Sequence, residues 1–218
     1  SPQPFRRSEL ARLMSNLSLW PIGNCQVSAL IDSEANFVWG CIPRVDGDPI
    51  FCSLLNGDER EKGIWSIRLA NQTHAIPRYS RNSAILITRL IDADGSAVDV
   101  IDFCPRYETA GRMYRPVAYA RIIRPVSGRP RVTISLCPMR DYGTEPAPHM
   151  WGSNHIRYDT GAQQLRLTTN APIGYILERT EFRVEHDHYF FLGPDEPFIG
   201  DIGERLRQME QATDQYWK

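Results

Sequence analysis

Residues 84–103 read AILITRLIDADGSAVDVIDF, two apolar and β-branched runs on either side of Asp94-Gly95. Val and Ile suit the pleated, half-buried surface of a strand, and Asp-Gly favours the positive backbone angles of a tight turn. The stretch therefore predicts a β-hairpin.

Strand patterns of the same kind continue from Ile22 to about Pro197, broken by turn residues about every eight to twelve positions. A second hairpin is predicted between residues 117–123 and 131–136, and a third between 155–158 and 164–168. Further strands are predicted at 174–177, 180–184 and 188–192. Because no helical pattern lies between them, we expect an all-β antiparallel sandwich rather than a parallel α/β sheet.

Helical patterns lie at the two ends of the chain. After Ser8, apolar residues follow at spacings of three and four and predict a short helix: Leu10, Leu13, Met14 and Leu17. Near the other end, Asp201 is a predicted N-cap with Glu204 three residues later. An apolar stripe then repeats to the last turn: Ile202, Leu206, Met209, Thr213 and Tyr216.

The stripe of the second helix needs a partner, which is either the sandwich or a domain beyond Lys218. The pattern reaches Lys218 without a Gly or Pro stop, which is typical of a chain divided at a domain junction. We therefore expect a partly helical extension over residues 1–20, a β-sandwich over 21–199 and the start of a linker helix over 200–218.

The composition is that of a soluble globular domain, with 218 residues, 42% hydrophobic and 23% charged. Lys and Arg number 25 against 26 Asp and Glu, so there is no electrostatic footprint for nucleic acid or an anionic membrane. No apolar run is of membrane-spanning length and no signal peptide is evident. We expect a cytoplasmic location and buried, reduced thiols at the five cysteines, Cys25, Cys41, Cys52, Cys104 and Cys137.

Few residues are candidates for chemistry. His186 and His188 alternate, so one strand face could offer two metal ligands, but without a third at a recognisable spacing a solvated edge or hairpin tip is favoured. Asp99 and Asp102 are three apart on a predicted strand and point to opposite faces, which is wrong for an acid–base pair. A structural role is expected for Asp102. Whether other loop carboxylates converge is open at this stage: Asp46, Asp48, Asp141 and Glu145.

The sequence has no nucleophile elbow, phosphate loop, zinc-protease helix or dinucleotide fingerprint, so no cofactor or metal is expected. Aromatic residues in predicted loops could stack on sugar rings, although large aromatics more often belong to a core or an interface. They are Trp20, Trp39, Trp65, Tyr142 and Trp151. Trp39 lies in a strand-like run, which favours a core or interface position.

Residues 21–46 read PIGNCQVSALIDSEANFVWGCIPRVD. This stretch resembles the opening of the bacterial and archaeal glycoside hydrolases of family 15, the glucoamylase and trehalase relatives. Their pattern is Ile-Gly-Asp or Ile-Gly-Asn, a strand, a turn, Trp and a Pro-Arg-Phe-Asp loop. The resemblance continues in order through residues 51–57, 63–67, 98–105 and 138–143, and the ending Tyr216-Trp217 is similar to the family's linker. It covers Leu19 to Lys218.

The resemblance implies a supersandwich of two large sheets, similar to the galactose mutarotase fold, followed by a barrel of six helical hairpins. In the family that barrel carries both catalytic glutamates for inverting hydrolysis of an α-glucosidic bond. No residue of this chain is therefore expected to be the general acid or base, and the chain alone is expected to be inactive. Its expected partners are the C-terminal barrel domain and, through it, an α-glucoside; a separated fragment is expected to self-associate.

The family's Pro-Arg-Phe-Asp loop matches Pro43, Arg44, Val45 and Asp46. The resemblance implies that this loop, with Trp39 in the strand before it, faces the barrel and borders its sugar pocket. Arg44 suits a bidentate contact with a carboxylate or sugar hydroxyls, and a pair with Asp46 that only stiffens the loop is the alternative. Val45 departs from the family's Phe, and residues 47–48 depart from its Ser-Pro.

Two functions thus remain in view. The first is a noncatalytic N-terminal domain of a glucoamylase-like or trehalase-like hydrolase. The alternative is a stand-alone carbohydrate-binding module that uses the loop tryptophans. A free-standing sugar epimerase is the weakest reading, because no paired histidine and carboxylate emerge.

Overall fold

A computed structural model describes residues 18–56 and 61–218, which form two large antiparallel sheets packed face to face. The seven-stranded sheet contains β1 (Leu19–Gly23), β2 (Ser28–Asp32), β3 (Phe37–Cys41), β4 (Pro49–Phe51), β5 (Ile64–Leu69), β12 (Arg131–Cys137) and β18 (Phe182–Arg183). The eight-stranded sheet contains β6 (Gln72–Tyr79), β7 (Leu86–Asp92), β8 (Ala97–Phe103), β11 (Tyr119–Ser127), β15 (His149–Trp151), β16 (His155–Asp159), β17 (Gln164–Thr169) and β19 (His188–Pro194).

The remaining elements are short ribbons and helices. One ribbon pairs β9 (Tyr107–Thr109) with β10 (Arg112–Tyr114), and the other pairs β13 (Met139–Arg140) with β14 (Glu145–Pro146). The helices are α1 (Ile173–Leu177), α2 (Ile202–Trp217) and a 3-10 turn over Ser53–Leu55. The all-β antiparallel sandwich predicted from the sequence is confirmed. The helix predicted after Ser8 lies outside the described residues.

The order of strands is β1-β2-β3-β5-β12-β18 in one sheet, with β4 beside β3, and β15-β16-β17-β19-β11-β8-β7-β6 in the other. The hairpin predicted from residues 84–103 is confirmed as β7 and β8, with Ile91 opposite Ala97. Its turn is wider than Asp94-Gly95 alone, because the Asp92 carboxylate accepts from the backbone of Asp94 and Ser96. The third predicted hairpin is confirmed as β16 and β17.

Two predictions about strands are wrong. Strands β11 and β12 do not form a hairpin, because β11 pairs with β8 and β19 while β12 pairs with β5 and β18 in the other sheet. Gly128-Arg129-Pro130 carries the chain from one sheet to the other. Turn residues of this kind are found both in hairpins within a sheet and in crossovers between sheets, so they do not distinguish the two. Residues 174–177 lie in α1 rather than in a strand, with Ile173 and Ile176 buried one helical turn apart. An apolar run of this length is too short to distinguish the period of a helix from that of a strand.

The eight-stranded sheet is apolar on both faces. On β8, Val98 and Val100 join the core between the sheets, whereas Ile101 and Phe103 join a second core on the outer face. Asp99 and Asp102 therefore point to opposite faces, as predicted. Asp99 pairs with Arg89 on the outer face at 2.8 Å.

Helix α2 covers the outer core. The side chain of Asp201 accepts a hydrogen bond from the Glu204 backbone at 2.8 Å, which confirms the predicted N-cap. The buried stripe of Ile202, Leu206 and Met209 packs over this face of the sheet. The partner of α2 is therefore the sandwich itself, one of the two partners that the sequence left open.

The cysteines are free thiols, and their burial differs from the prediction at one position. Cys41, Cys52 and Cys104 are buried and Cys137 is partly buried, but Cys25 is exposed. Cys25 lies in the β1–β2 turn with a φ of 67°. Its neighbour Asn24 is buried, and the side-chain amide of Asn24 donates to the carbonyls of Pro105 and Pro116. Among the described residues, no helix is long and apolar enough to cross a membrane.

A charged pair lies at the centre of the sandwich. Arg121 on β11 and Asp102 on β8 are opposite each other, both side chains are fully buried, and Arg121 Nε lies 2.7 Å from Asp102 Oδ1. The other donors of Arg121 reach the carbonyls of Trp65, at 2.7 Å, and of Ala35. Burial raises the pKa of Asp102, and the guanidinium of Arg121 opposes that rise. The pair thus joins the two sheets, since Trp65 lies in the seven-stranded sheet.

We expect Arg121→Met to lower the free energy of unfolding by about 3–5 kcal/mol, because it leaves the Asp102 carboxylate buried without a partner. Urea denaturation measures this loss. The control is the double variant Arg121→Met with Asp102→Leu, which removes both charges and should lose less than the single variant. A single variant within 1 kcal/mol of the wild type would contradict the structural role of the pair.

Candidate functional site

The loop predicted to face a sugar pocket connects β3 to β4. Arg44 and Asp46 are exposed and bind each other through two hydrogen bonds, Nε to Oδ1 and Nη2 to Oδ2, both of 2.8 Å. These hydrogen bonds lower the pKa of the Asp46 carboxyl. The Gly47 backbone donates to the Arg44 carbonyl at 3.0 Å and closes the loop. The bidentate edge of Arg44 is thus engaged within the loop, and its contact with a sugar stays a prediction.

Strand β3 positions the base of this loop. The hydroxyl of buried Tyr119 donates to the carbonyls of Ser28, at 2.9 Å, and Cys41, at 3.3 Å. A Cβ at Gly40 would lie 3.0 Å from that hydroxyl, so glycine permits the approach. Of the side chains predicted to act with the loop, Trp39 and Pro43 are half-buried. Val45, which stands where the family has Phe, is 58% exposed.

Two of the other loop carboxylates lie beside one guanidinium. Glu145 binds Arg140 at 3.0 Å across the β13–β14 ribbon, and Asp141 lies 3.8 Å from the same guanidinium. Asp48 is half-buried and lies in the β3–β4 loop. Glu145 and Asp141 therefore form partly exposed ion pairs with Arg140, a kind of contact that contributes little to stability.

The predicted loop aromatics separate into buried and exposed groups. Trp65 is fully buried between the sheets, and Trp20 and Trp39 are half-buried. Tyr142 is 82% exposed and Trp151, on the edge strand β15, is 63% exposed. Only these last two of the five present an open ring face.

His186 and His188 do lie on the same side of the chain, with ring centroids 4.6 Å apart. The solvated position favoured by the sequence is correct for His186, which is exposed. It is wrong for His188, which is 4% exposed and pairs with Ile123 inside the eight-stranded sheet. Burial, and then His186, lower the pKa of His188 to about 4. Neither ring nitrogen of His188 has a hydrogen-bond partner among the described residues.

These histidines line a cleft of about 500 Å³ at the β18 edge of the seven-stranded sheet. The other walls come from Arg131, Tyr175 and the β18 segment. Sequence reasoning missed this cleft, because its residues lie between positions 131 and 188 and the segment with Tyr175 was assigned to a strand. The alternating histidines were the signal that pointed to it. No three His, Cys, Asp or Glu side chains in the described part of the chain are grouped to hold a metal ion.

The fold defines an antiparallel β-sandwich domain. The family described as trehalase-like, N-terminal, matches residues 9–188. The chain belongs to this family, which confirms its resemblance to the N-terminal domain of trehalase-like proteins and relates it to glycoside hydrolases. No curated protein and no solved structure shows significant similarity to the chain.

His188 makes the stability of the domain depend on pH. Its pKa is about 4 when folded and about 6.5 when unfolded, so the unfolded chain binds the proton first as the pH falls. Its contribution is complete above about pH 6.5 and is lost down to about pH 4, by at most about 3 kcal/mol. We expect His188→Phe to lose less stability than the wild type between pH 7.5 and pH 4 (urea denaturation at both pH values). His74→Gln, at an exposed histidine, is the control, and equal losses in His188→Phe and the wild type would exclude this account.

Proposed function

We propose that this chain is the noncatalytic N-terminal domain of a glucoamylase-like or trehalase-like hydrolase of family 15. It packs against a helical-barrel domain of the same polypeptide, and that domain performs the inverting hydrolysis of an α-glucosidic bond. The observation that carries this proposal is the family match over residues 9–188.

The exposed loop of residues 43–46 supports a role beside the active site of that barrel. A bidentate arginine on a closed loop is suited to hold a carboxylate of the barrel or a pair of sugar hydroxyls. Arg44 would exchange its present partner, Asp46, for such a group. Because both side chains are exposed, the exchange breaks a contact of small net energy.

The end of α2 supports a continuation of the chain over the sandwich. The guanidinium of Arg106 lies 4.9 Å from the ring centroid of Tyr216 and 5.7 Å from that of Trp217. Both aromatic residues are more than a third exposed, so they offer apolar surface to a following domain. When no following domain covers Tyr216 and Trp217, their exposed apolar surface favours self-association of the fragment.

A cytoplasmic location is part of the proposal and is supported by the five free cysteines. The supersandwich architecture of the family is likewise consistent with one seven-stranded and one eight-stranded sheet in the described residues.

A stand-alone carbohydrate-binding module is the second candidate function. The exposed ring of Trp151 is the observation that favours it.

Hydrolysis assays test the proposal directly. The chain Ser1–Lys218 should release no glucose from trehalose, maltose or isomaltose, whereas the full product of its gene should release glucose from at least one α-glucoside. Glucose release at an enzyme-like rate by the chain alone would overturn the assignment. A reading frame that stops at Lys218 would instead favour the binding module.

In the full gene product, we expect Arg44→Ala to lower kcat/KM by about ten- to a hundredfold, because it removes one pair of charge-assisted hydrogen bonds. The thermal unfolding of the domain should change little, since Arg44 is 72% exposed on its side chain. Arg44→Lys is the matched control, which keeps the charge but not the bidentate geometry. Wild-type kinetics in both variants would remove the loop from the active site and leave the family assignment intact.

A further inference from the structure

The cleft beside β18 has the size and the mixed walls of a small-molecule site. Its volume of about 500 Å³ falls within the range of about 300–1,000 Å³ for such sites. It is built from β12, the link between β17 and α1, α1 itself, and the segment from β18 to the start of β19. Residues far apart in sequence therefore converge on it.

The rim of the cleft carries charges that cancel. Arg131 pairs with Glu181 at 2.5 Å, and Arg183 pairs with Glu185 at 3.1 Å. Such planar guanidinium and carboxylate groups offer adjacent donors and acceptors. Because each positive charge has its own negative partner, the rim favours a neutral polar ligand over a phosphate or an ammonium.

One wall is aromatic. The rings of Tyr175 on α1 and Phe182 on β18 lie with centroids 5.6 Å apart. Tyr175 is 41% exposed, so its ring is accessible from the cleft, whereas Phe182 is buried beneath it. A pyranose has apolar C–H faces and a polar edge of hydroxyls, which match an aromatic wall below a polar rim.

His188 is the buried polar group of this site. It is 4% exposed, it contributes to the wall, and neither of its ring nitrogens has a partner among the described residues. A buried polar group without a hydrogen-bond partner destabilises the fold, so a ligand that supplies a donor or an acceptor stabilises it. The exposed ring of His186 lies next to that of His188, with the two centroids 4.6 Å apart, and both histidines line the cleft.

The same observations argue against a metal at the two histidines. The described residues supply no third protein ligand. A histidine that binds a metal almost always donates its other ring N–H to an acceptor, and His188 has none among the described residues. A hydroxyl fits the imidazole better, because it can either accept from the ring N–H or donate to the unprotonated ring nitrogen.

We infer that this cleft binds a neutral polyhydroxylated ligand, a mono- or oligosaccharide, with Tyr175 stacking on a sugar ring and His188 bonding a hydroxyl. The choice of α-glucosides as probes rests on the proposed function. Burial keeps the imidazole neutral at pH 7 because it lowers the pKa to about 4, so both kinds of hydrogen bond are available.

Titration of the chain with maltotriose and with trehalose, followed by calorimetry and saturation-transfer NMR at pH 7.5, tests the site. We expect saturable binding of at least one sugar, with a Kd on the order of 1 mM. Tyr175→Ala should weaken binding at least tenfold without unfolding, because the ring is partly exposed. His188→Phe should weaken binding similarly, and thermal unfolding of each variant verifies that it is folded.

The matched control is Trp151→Ala, which removes an even more exposed aromatic ring outside the cleft and should leave binding unchanged. No saturable binding by the wild type would overturn the inference, as would binding that Trp151→Ala abolishes and Tyr175→Ala does not. Saturable Zn²⁺ binding lost in His186→Gln, without sugar binding, would overturn it in favour of a metal. None of these outcomes affects the proposed function, which depends on hydrolysis by the full gene product.

Discussion

The buried ion pair of Arg121 and Asp102 is the contact on which both sheets depend. A fully buried guanidinium is costly unless its donors find partners, and four hydrogen bonds link that of Arg121 to a carboxylate of one sheet and to backbone carbonyls on the side of the other. The rings of Phe37 and Trp65 lie 4.6 Å and 5.0 Å from the guanidinium and complete its surroundings. Sliding one sheet over the other would break these contacts together, so the pair sets the relative position of the sheets.

The same strand also determines where the β3–β4 loop stands. Tyr119 and Arg121 are two residues apart on β11 and therefore share its inner face. The guanidinium of Arg121 donates to the carbonyl of Ala35 just before β3 begins, and the hydroxyl of Tyr119 donates to the carbonyl of Cys41 where β3 ends. The loop of residues 43–46 thus projects from a strand that is fixed at both ends, although its own Arg44–Asp46 pair is exposed.

The two candidate sites differ in how they are built. The β3–β4 loop presents a preformed exposed ion pair, and our proposal is that a neighbouring domain covers it. The cleft beside β18 combines an accessible ring with a buried imidazole that has no partner among the described residues, and our proposal is that it binds a small molecule. Under these two proposals the sandwich domain would provide both an interdomain contact and a binding function of its own.

Local signals in the sequence determined much of this domain. The apolar runs around Asp94-Gly95 were sufficient for the β7–β8 hairpin, Asp201 with Glu204 for the start of α2, and the ordered motifs from residue 21 onward for the family. These features depend on backbone preferences and side-chain periodicity within a few residues. The Arg44–Asp46 pair, two residues apart, was also foreseen as one of two alternatives.

Only the tertiary structure decided the rest. A turn such as Gly128-Arg129-Pro130 does not reveal whether the next strand, β12, pairs with its neighbour or crosses to the other sheet, because that depends on β5, which lies more than sixty residues earlier in the chain. The burial of Arg121, the helical state of residues 173–177 and the unpartnered ring of His188 likewise follow from what packs against them. Burial and long-range pairing are properties of the assembled sheets, and no local stretch of sequence carries them.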